Sequence, residues 1–176
     1  MTGWRYPFST SPTPDEMARL ADHLVLMEEG RALASGSLTE TLARLDLPLR
    51  HDQEVGVVVE AVMAEHDPQW HLARMEFPGG SLRVRDMGAK LGRRVRVLVL
   101  ARDISLARQR GEETSIRNPA VVTKLAPGEH PAEVLVRLQV GETPLVARLT
   151  ARSADALGLA EGWPVWAQLK SVTVIE

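Results

Sequence analysis

Glu133-Val134-Leu135-Val136-Arg137-Leu138-Gln139-Val140, Gly141-Glu142, then Pro144-Leu145-Val146-Ala147-Arg148-Leu149 and Thr150-Ala151-Arg152-Ser153 form the stretch whose reading decides the fold. Two β-branched, apolar-rich runs flank a glycine-containing tight turn, the pattern of a β-hairpin. A short helix over 151–157 follows, with Thr150 placed to cap it. Outward from there, residues 120–125 and 165–175 read as further strands. Four or five strands of this length with one short helix make a small OB-like barrel.

The same grammar recurs upstream. Residues 55–62 are a near-continuous apolar run. Residues 70–77 alternate and turn at Pro78-Gly79-Gly80, and 82–85 and 95–100 are further strands. The polar, aperiodic segment 107–113 reads as a connector. Two OB-like units therefore stand in tandem, the second beginning near Thr114. The N-terminal third is different. Thr13-Pro14-Asp15-Glu16 is a capping box ahead of Met17, Leu20, Ala21 and Leu24 at helical spacing. Glu28-Glu29-Gly30-Arg31 turns a hairpin between 24–27 and 32–34. Ser37 and Glu40 make a second capping box, opening a helix with an apolar face of Leu38, Leu42 and Leu45 that Pro48 ends. The expected class is mainly β (α+β), divided as 1–48 (helix, hairpin, helix), 49–112 (an intermediate OB-like lobe) and 113–176 (the second OB-like unit).

Composition bounds the function. At 176 residues, 44% hydrophobic and 25% charged, the chain is expected to be a soluble globular protein of one ordinary or two small domains. A net charge of −2 and an aromatic fraction of 4% give no global attraction for nucleic acid or an anionic membrane. No cysteine is present, so thiolate metal sites and disulfides are excluded. The five histidines show no ligand spacing, and no direct cation site is expected. No nucleophile–base pair stands out. No apolar run is long enough to span a bilayer, so direct membrane insertion is not expected.

Two segments carry chemistry. Thr114-Ser115-Ile116-Arg117-Asn118-Pro119 supplies a hydroxyl, a guanidinium and an amide at a strand entrance. Trp166-Ala167-Gln168-Leu169-Lys170-Ser171-Val172-Thr173-Val174 supplies an ammonium and a hydroxyl inside a β-pattern. Neither contains a carboxylate. Positive charge plus several donors is what a tetrahedral, acceptor-only dianion needs to offset its desolvation. Thr150 and Ser153 add donors at a helix start, where N–H groups favour an anion. Each residue has a plainer reading. A lone strand lysine is most often solvated, a lone arginine most often in a surface ion pair, and Thr150 is first a helix cap. Asn118 suits the turn before Pro119. Arg83, Arg85, Arg93, Arg94 and Arg96 read as a solvated strand face or, second, a contact with a partner domain. The four tryptophans are scattered, which favours packing over base stacking.

The pairing of Ser-x-Arg-Asn with Lys-Ser at the end of a five-strand unit resembles the Mop (molybdate-binding, TOBE-type) domain of molybdate ABC transporter ATP-binding subunits. Residues 14–31 with Ala34-Ser35-Gly36 resemble the tail of an ABC ATPase domain. In that family the switch histidine precedes this tail, and the register puts Pro12 there. The P-loop, signature motif and Walker B carboxylates are absent from the sequence, so no ATPase activity is expected of this chain. Val99-Leu100-Ala101-Arg102-Asp103-Ile104 is similar to a strand end of related regulatory domains, without its proline and glutamate.

The resemblance implies a ligand, molybdate or tungstate, with no other cofactor. It implies a site from Ser115, Arg117, Lys170 and Ser171, then Thr150, Ser153 and Asn118, formed between two Mop units, hence a homodimer or higher oligomer. It further implies a cytoplasmic location, peripheral at the inner face of the membrane where a cognate ABC permease is present. The chain is then a fragment, a truncated frame or a stand-alone descendant of the transporter's C-terminal region. Two alternatives are a stand-alone intracellular molybdate-binding protein of the molbindin kind and a ligand-free TOBE-type dimerisation module. A nucleic-acid-binding OB fold comes last.

Overall fold

A computed structural model describes residues 19–47, 55–109 and 117–175. It is mainly β. The described chain opens on the helical residues Arg19 and Leu20, and the rest of the first expected helix lies outside the described residues. A hairpin follows, β1 His23–Glu28 and β2 Arg31–Ser37, closed by Glu29 and Gly30 with φ of 46° and 79°. Positive φ at both central positions is the hairpin turn whose twist matches its strands.

Helix α1 spans only Leu38–Leu42, shorter than the apolar spacing predicts. Ser37 caps it, its Oγ accepting the Glu40 N–H at 3.3 Å. Glu40 does not return to close a capping box. Its carboxylate instead accepts from Arg137 Nη2, 2.8 Å away on a distant strand. Leu45 and Leu47 are buried beyond the helix end, and the Arg44–Asp46 pair holds the turn between them. Tertiary anchoring thus overrides helical periodicity here.

The remaining strands are β3 Gly56–Asp67, β4 Leu72–Phe77, β5 Gly80–Arg85, β6 Arg94–Leu100, β7 Ile104–Ala107, β8 Arg117–Pro127, β9 Glu133–Val140, β10 Thr143–Thr150, β11 Pro164–Leu169 and β12 Thr173–Ile175. A 3₁₀ turn, Ala101–Asp103, separates β6 from β7, and helix α2, Ala151–Leu157, follows β10. The hairpin and helix read from 133–157 form as expected. Two readings need correction. The stretch 165–175 is not one strand: it breaks after Leu169 into β11 and β12, which lie in different sheets. Ile104, read as the end of a strand, and Ala107, read as the start of a connector, instead bound a separate strand, β7.

Both corrections have one cause, an exchange of strands. The sheets run β5-β4-β3-β6-β12 and β10-β9-β8-β11-β7. Each unit therefore takes its fifth strand from the far side of the sequence boundary between them. Where the two crossing segments pass, the Lys170 N–H donates to the Asp103 carbonyl at 2.8 Å.

Identical strand order makes the units pseudo-symmetric, and the match extends to single residues. The long strand of each unit carries one β-bulge, after Met63↔Met75 in the first and after Val122↔Leu138 in the second. Superimposing the bulges equates Met63 with Val122, hence Val58 with Arg117 and Val59 with Asn118. The next ladder then equates Leu98, partner of Val58, with Gln168, partner of Arg117.

Inward residues of both units share one core. Val57, Val59, Val97 and Val99 meet Val122, Val136, Leu138 and Leu145 there, all almost fully buried. The two β-turns also meet. A Cβ on Gly79 (φ 99°) would collide with the Gly141 backbone, and one on Gly141 with Gly79. Beside them Thr143 Oγ1 donates to the Pro78 carbonyl at 2.7 Å. Only glycine combines this φ with backbone-to-backbone approach. Gly79→Ala is therefore expected to destabilise the fold by about 1–3 kcal/mol, the range for overpacking, read as a lower urea midpoint. An unchanged midpoint would show that the turns can part freely.

Candidate oxyanion-binding site

Antiparallel pairing sets the Arg117 end of β8 beside the end of β11. Arg117 lies opposite Gln168, Asn118 opposite Ala167 and Pro119 opposite Trp166. Lys170 follows two residues after Gln168. Strand alternation puts Arg117 and Gln168 on the outward face and Asn118 and Ala167 inward and buried, and Lys170, just past the end of β11, is exposed. The structure thus brings one residue of each sequence segment onto a common surface, with an unforeseen amide between them. Only the register reveals Gln168, because the sequence marks it with no motif.

Arg117 is half-buried. One Nη donates to the Gln109 carbonyl at 3.3 Å, while Nε is enclosed with no protein partner among the described residues. Lys170 is exposed, and its ammonium makes no hydrogen bond or ion pair with a described residue. Ser171 is exposed at the start of the crossing segment. Ser115 lies outside the described residues. This end of the sheet presents two cationic side chains, an amide and a hydroxyl. They can hold an anion by charge-assisted hydrogen bonds.

Asn118 is 3% exposed, and its amide is engaged on both sides. Oδ1 accepts the Ser81 N–H at 2.8 Å and Nδ2 donates to the Ser81 carbonyl at 2.9 Å. The side chain thus acts as an extra rung joining β8 of one unit to edge strand β5 of the other. Thr150 and Ser153 lie elsewhere. Thr150 pairs with Glu133 near the Pro127 end of β8, roughly 30 Å of strand from Arg117. Its Oγ1 accepts the Ser153 N–H at 3.1 Å and donates to Ser153 Oγ at 2.8 Å, capping a helix of seven residues. One chain does not bring Thr150 and Ser153 to Arg117 and Lys170.

The arginine cluster divides. Arg83, Arg85, Arg93 and Arg94 are exposed. Arg96 instead donates to the Ala21 carbonyl at 3.0 Å and pairs with Asp22, fastening the N-terminal segment. Trp163 lies under the Arg108 guanidinium at 5.7 Å, a packing contact. Among the described residues no group of three histidines or carboxylates could hold a metal, and no helix is long and apolar enough to cross a membrane.

Known proteins bear on this geometry. Residues 114–175 match the TOBE domain. The chain is 59% identical over 168 residues to the molybdenum import ATP-binding protein ModC of Methylococcus capsulatus, covering 94% of this chain and 47% of that protein. The ModC of Thiobacillus denitrificans is 58% identical over 167 residues, and ModC 1 of Azotobacter vinelandii 50%, each with 94% of this chain and 46% of the relative covered. The chain spans about half the length of the curated relatives it matches. A crystal structure of the cytoplasmic molybdate-binding protein ModG, with molybdate bound, shares the fold. Its TM-score is 0.52 at 17% identity, over 74% of this chain and 98% of that one.

Asn118→Leu keeps the volume but leaves the Ser81 N–H and carbonyl without their partner. A loss of about 1–3 kcal/mol is expected in urea denaturation, whereas an unchanged midpoint would mean water replaces the rung at no cost. Over nearly its whole length the chain is similar to part of the molybdenum import ATP-binding proteins, and the TOBE domain match covers its residues 114–175.

Proposed function

We propose that this chain reversibly binds molybdate, or tungstate, at the Arg117–Lys170 end of its second unit. We further propose that it serves as an accessory, regulatory region of a molybdate importer's ATP-binding subunit. The observation that carries the reading is the pairing that sets Arg117 opposite Gln168, two residues before Lys170, whose exposed ammonium makes no hydrogen bond or ion pair with a described residue. The names of the relatives and of the ModG structure support the choice of ligand.

In this reading Lys170 and Arg117 supply charge, and Gln168, Ser171 and Ser115 supply donors. Thr150 and Ser153 join only when a second copy brings its α2 end to this face, so the complete site belongs to a homodimer or higher oligomer. Asn118 contributes by holding the two units together. The hairpin and α1 are the tail of the ATPase domain, and the permease is reached through the full-length subunit, on the cytoplasmic side of the membrane. Binding at the interface biases that assembly between two states. ATP hydrolysis belongs to motifs this chain lacks, and the purified chain should show no nucleotide turnover above a buffer blank in a phosphate-release assay.

The second reading, a dimerisation module without a ligand, is favoured by Thr150 and Ser153, which already satisfy each other as the cap of α2 and need no anion. Titration calorimetry separates the two. Molybdate should bind more tightly than sulfate: both are tetrahedral dianions, and donors spaced for the larger ion meet the smaller one through stretched hydrogen bonds. Lys170→Ala should weaken molybdate binding by about 1.5–3 kcal/mol, and Ser115→Ala by about 0.5–1.5 kcal/mol. Unchanged affinity in Lys170→Ala would remove Lys170 from the site. Absence of heat with any oxyanion would leave the dimerisation module.

A further inference from the structure

The bulge-based equivalence of the two units extends to the face that carries the candidate site. Arg117, Gln168 and Lys170 of the second unit correspond to Val58, Leu98 and Leu100 of the first. The exchanged strands agree: Ile175 pairs with Arg96 as Ala107 pairs with Trp166. Every cationic or amide group of the site face is thus an aliphatic side chain in the first unit. The backbone there is closed as well. A Cβ on Gly56, at the start of β3, would lie 2.9 Å from the Val99 carbonyl oxygen and 3.0 Å from Leu100 Cδ2.

This aliphatic face is covered. Leu38 of α1 packs onto Val58, Leu98 and Ile175, with Leu24, Leu42 and Leu100 around them, and these residues form a second core separate from the shared one. Leu38 is 4% exposed and Val58 3%. Thr39 Oγ1 donates to the Val58 carbonyl at 2.6 Å, so α1 is fastened at the position equivalent to Arg117.

We infer that the two pseudo-equivalent ends have divided their roles: the first unit's end is a socket for the N-terminal helix–hairpin module and takes no oxyanion, leaving one anion per chain. This rests on the oxyanion reading of the second unit. A dianion at the first end would have to displace Leu38 from an apolar pocket and would find no side-chain donor among Val58, Leu98 and Leu100, a burial of charge without compensation.

The test counts ions and watches the socket separately. Equilibrium dialysis of the full chain against saturating molybdate, with elemental molybdenum counted, should give one per chain. Lys170→Ala should lower the occupancy of that one site when molybdate is held near the affinity of the unaltered protein. Leu38→Asp, with Leu38→Ala as the milder variant should the first misfold, should raise amide hydrogen exchange in residues 31–42 at least tenfold and leave the count at one. Two ions per chain in the unaltered protein, or a second ion appearing when the socket is opened, would overturn the inference. So would unchanged exchange in both Leu38 variants. No ion in the unaltered protein would instead overturn the oxyanion reading, while the exchange measurement still decides whether the first end is a socket.

Discussion

The hydrogen bond from the Lys170 N–H to the Asp103 carbonyl marks the constraint on which the rest of the structure depends. At that point the chain leaving β6 and the chain leaving β11 pass each other, each bound for the other unit's sheet. The exchange completes both five-stranded sheets with strands too short to stand alone, four residues in β7 and three in β12. Such strands gain their stability from ladders already formed. The exchange also makes the shared core compulsory, since neither sheet is complete without the other unit. It fixes the place of Lys170 and Ser171, which sit on the crossing segment and not in the middle of a strand.

Local patterns were legible where local physics governs. The β9–β10 hairpin and α2 follow from Gly141-Glu142 and the Thr150 cap, and the N-terminal hairpin follows from Glu29-Gly30. The exchange was not legible. Residues 165–175 read as one strand because Leu169-Lys170-Ser171-Val172 keeps β-forming composition through the break. Nothing short-range tells that Thr173–Ile175 pairs with β6 and Gln168 with β8. Similarly, Leu38, Leu42 and Leu45 keep helical spacing, but the helix ends at Leu42 because Leu45 and Leu47 are drawn into the core.

The candidate site was legible in part. The two segments quoted from the sequence do meet, through the pairing of Arg117 with Gln168, but their chemistry is redistributed. Asn118 faces inward and bridges units through Ser81, a role set by strand alternation that a motif cannot express. Gln168 enters because it pairs with Arg117. Thr150 and Ser153 share the donor chemistry but stand at the other end of the sheet. Residue type identified the kind of chemistry, and register decided which residues could share it.

The pseudo-symmetry shows why similar backbones carry such different faces. Val58 and Arg117 hold equivalent places in two ladders, opposite Leu98 and Gln168, so changing the outward side chain breaks no rung between the strands. An outward aliphatic side chain is stabilised only if something covers it, and α1 does so by burying Leu38 against Val58, Leu98 and Ile175. An outward cation needs the opposite, access to water or to an anion. The choice between socket and anion site therefore rests on a few side chains at the strand ends and on whether α1 reaches them. The inward faces, which must fill one core, stay largely alike: Val95 and Val97 of the first unit answer to Val165 and Ala167 of the second. Divergence on the outward face, with Val59 against Asn118 as an inward exception that the Ser81 rung satisfies, hides the repeat from a reading of the sequence while leaving the fold of both units intact.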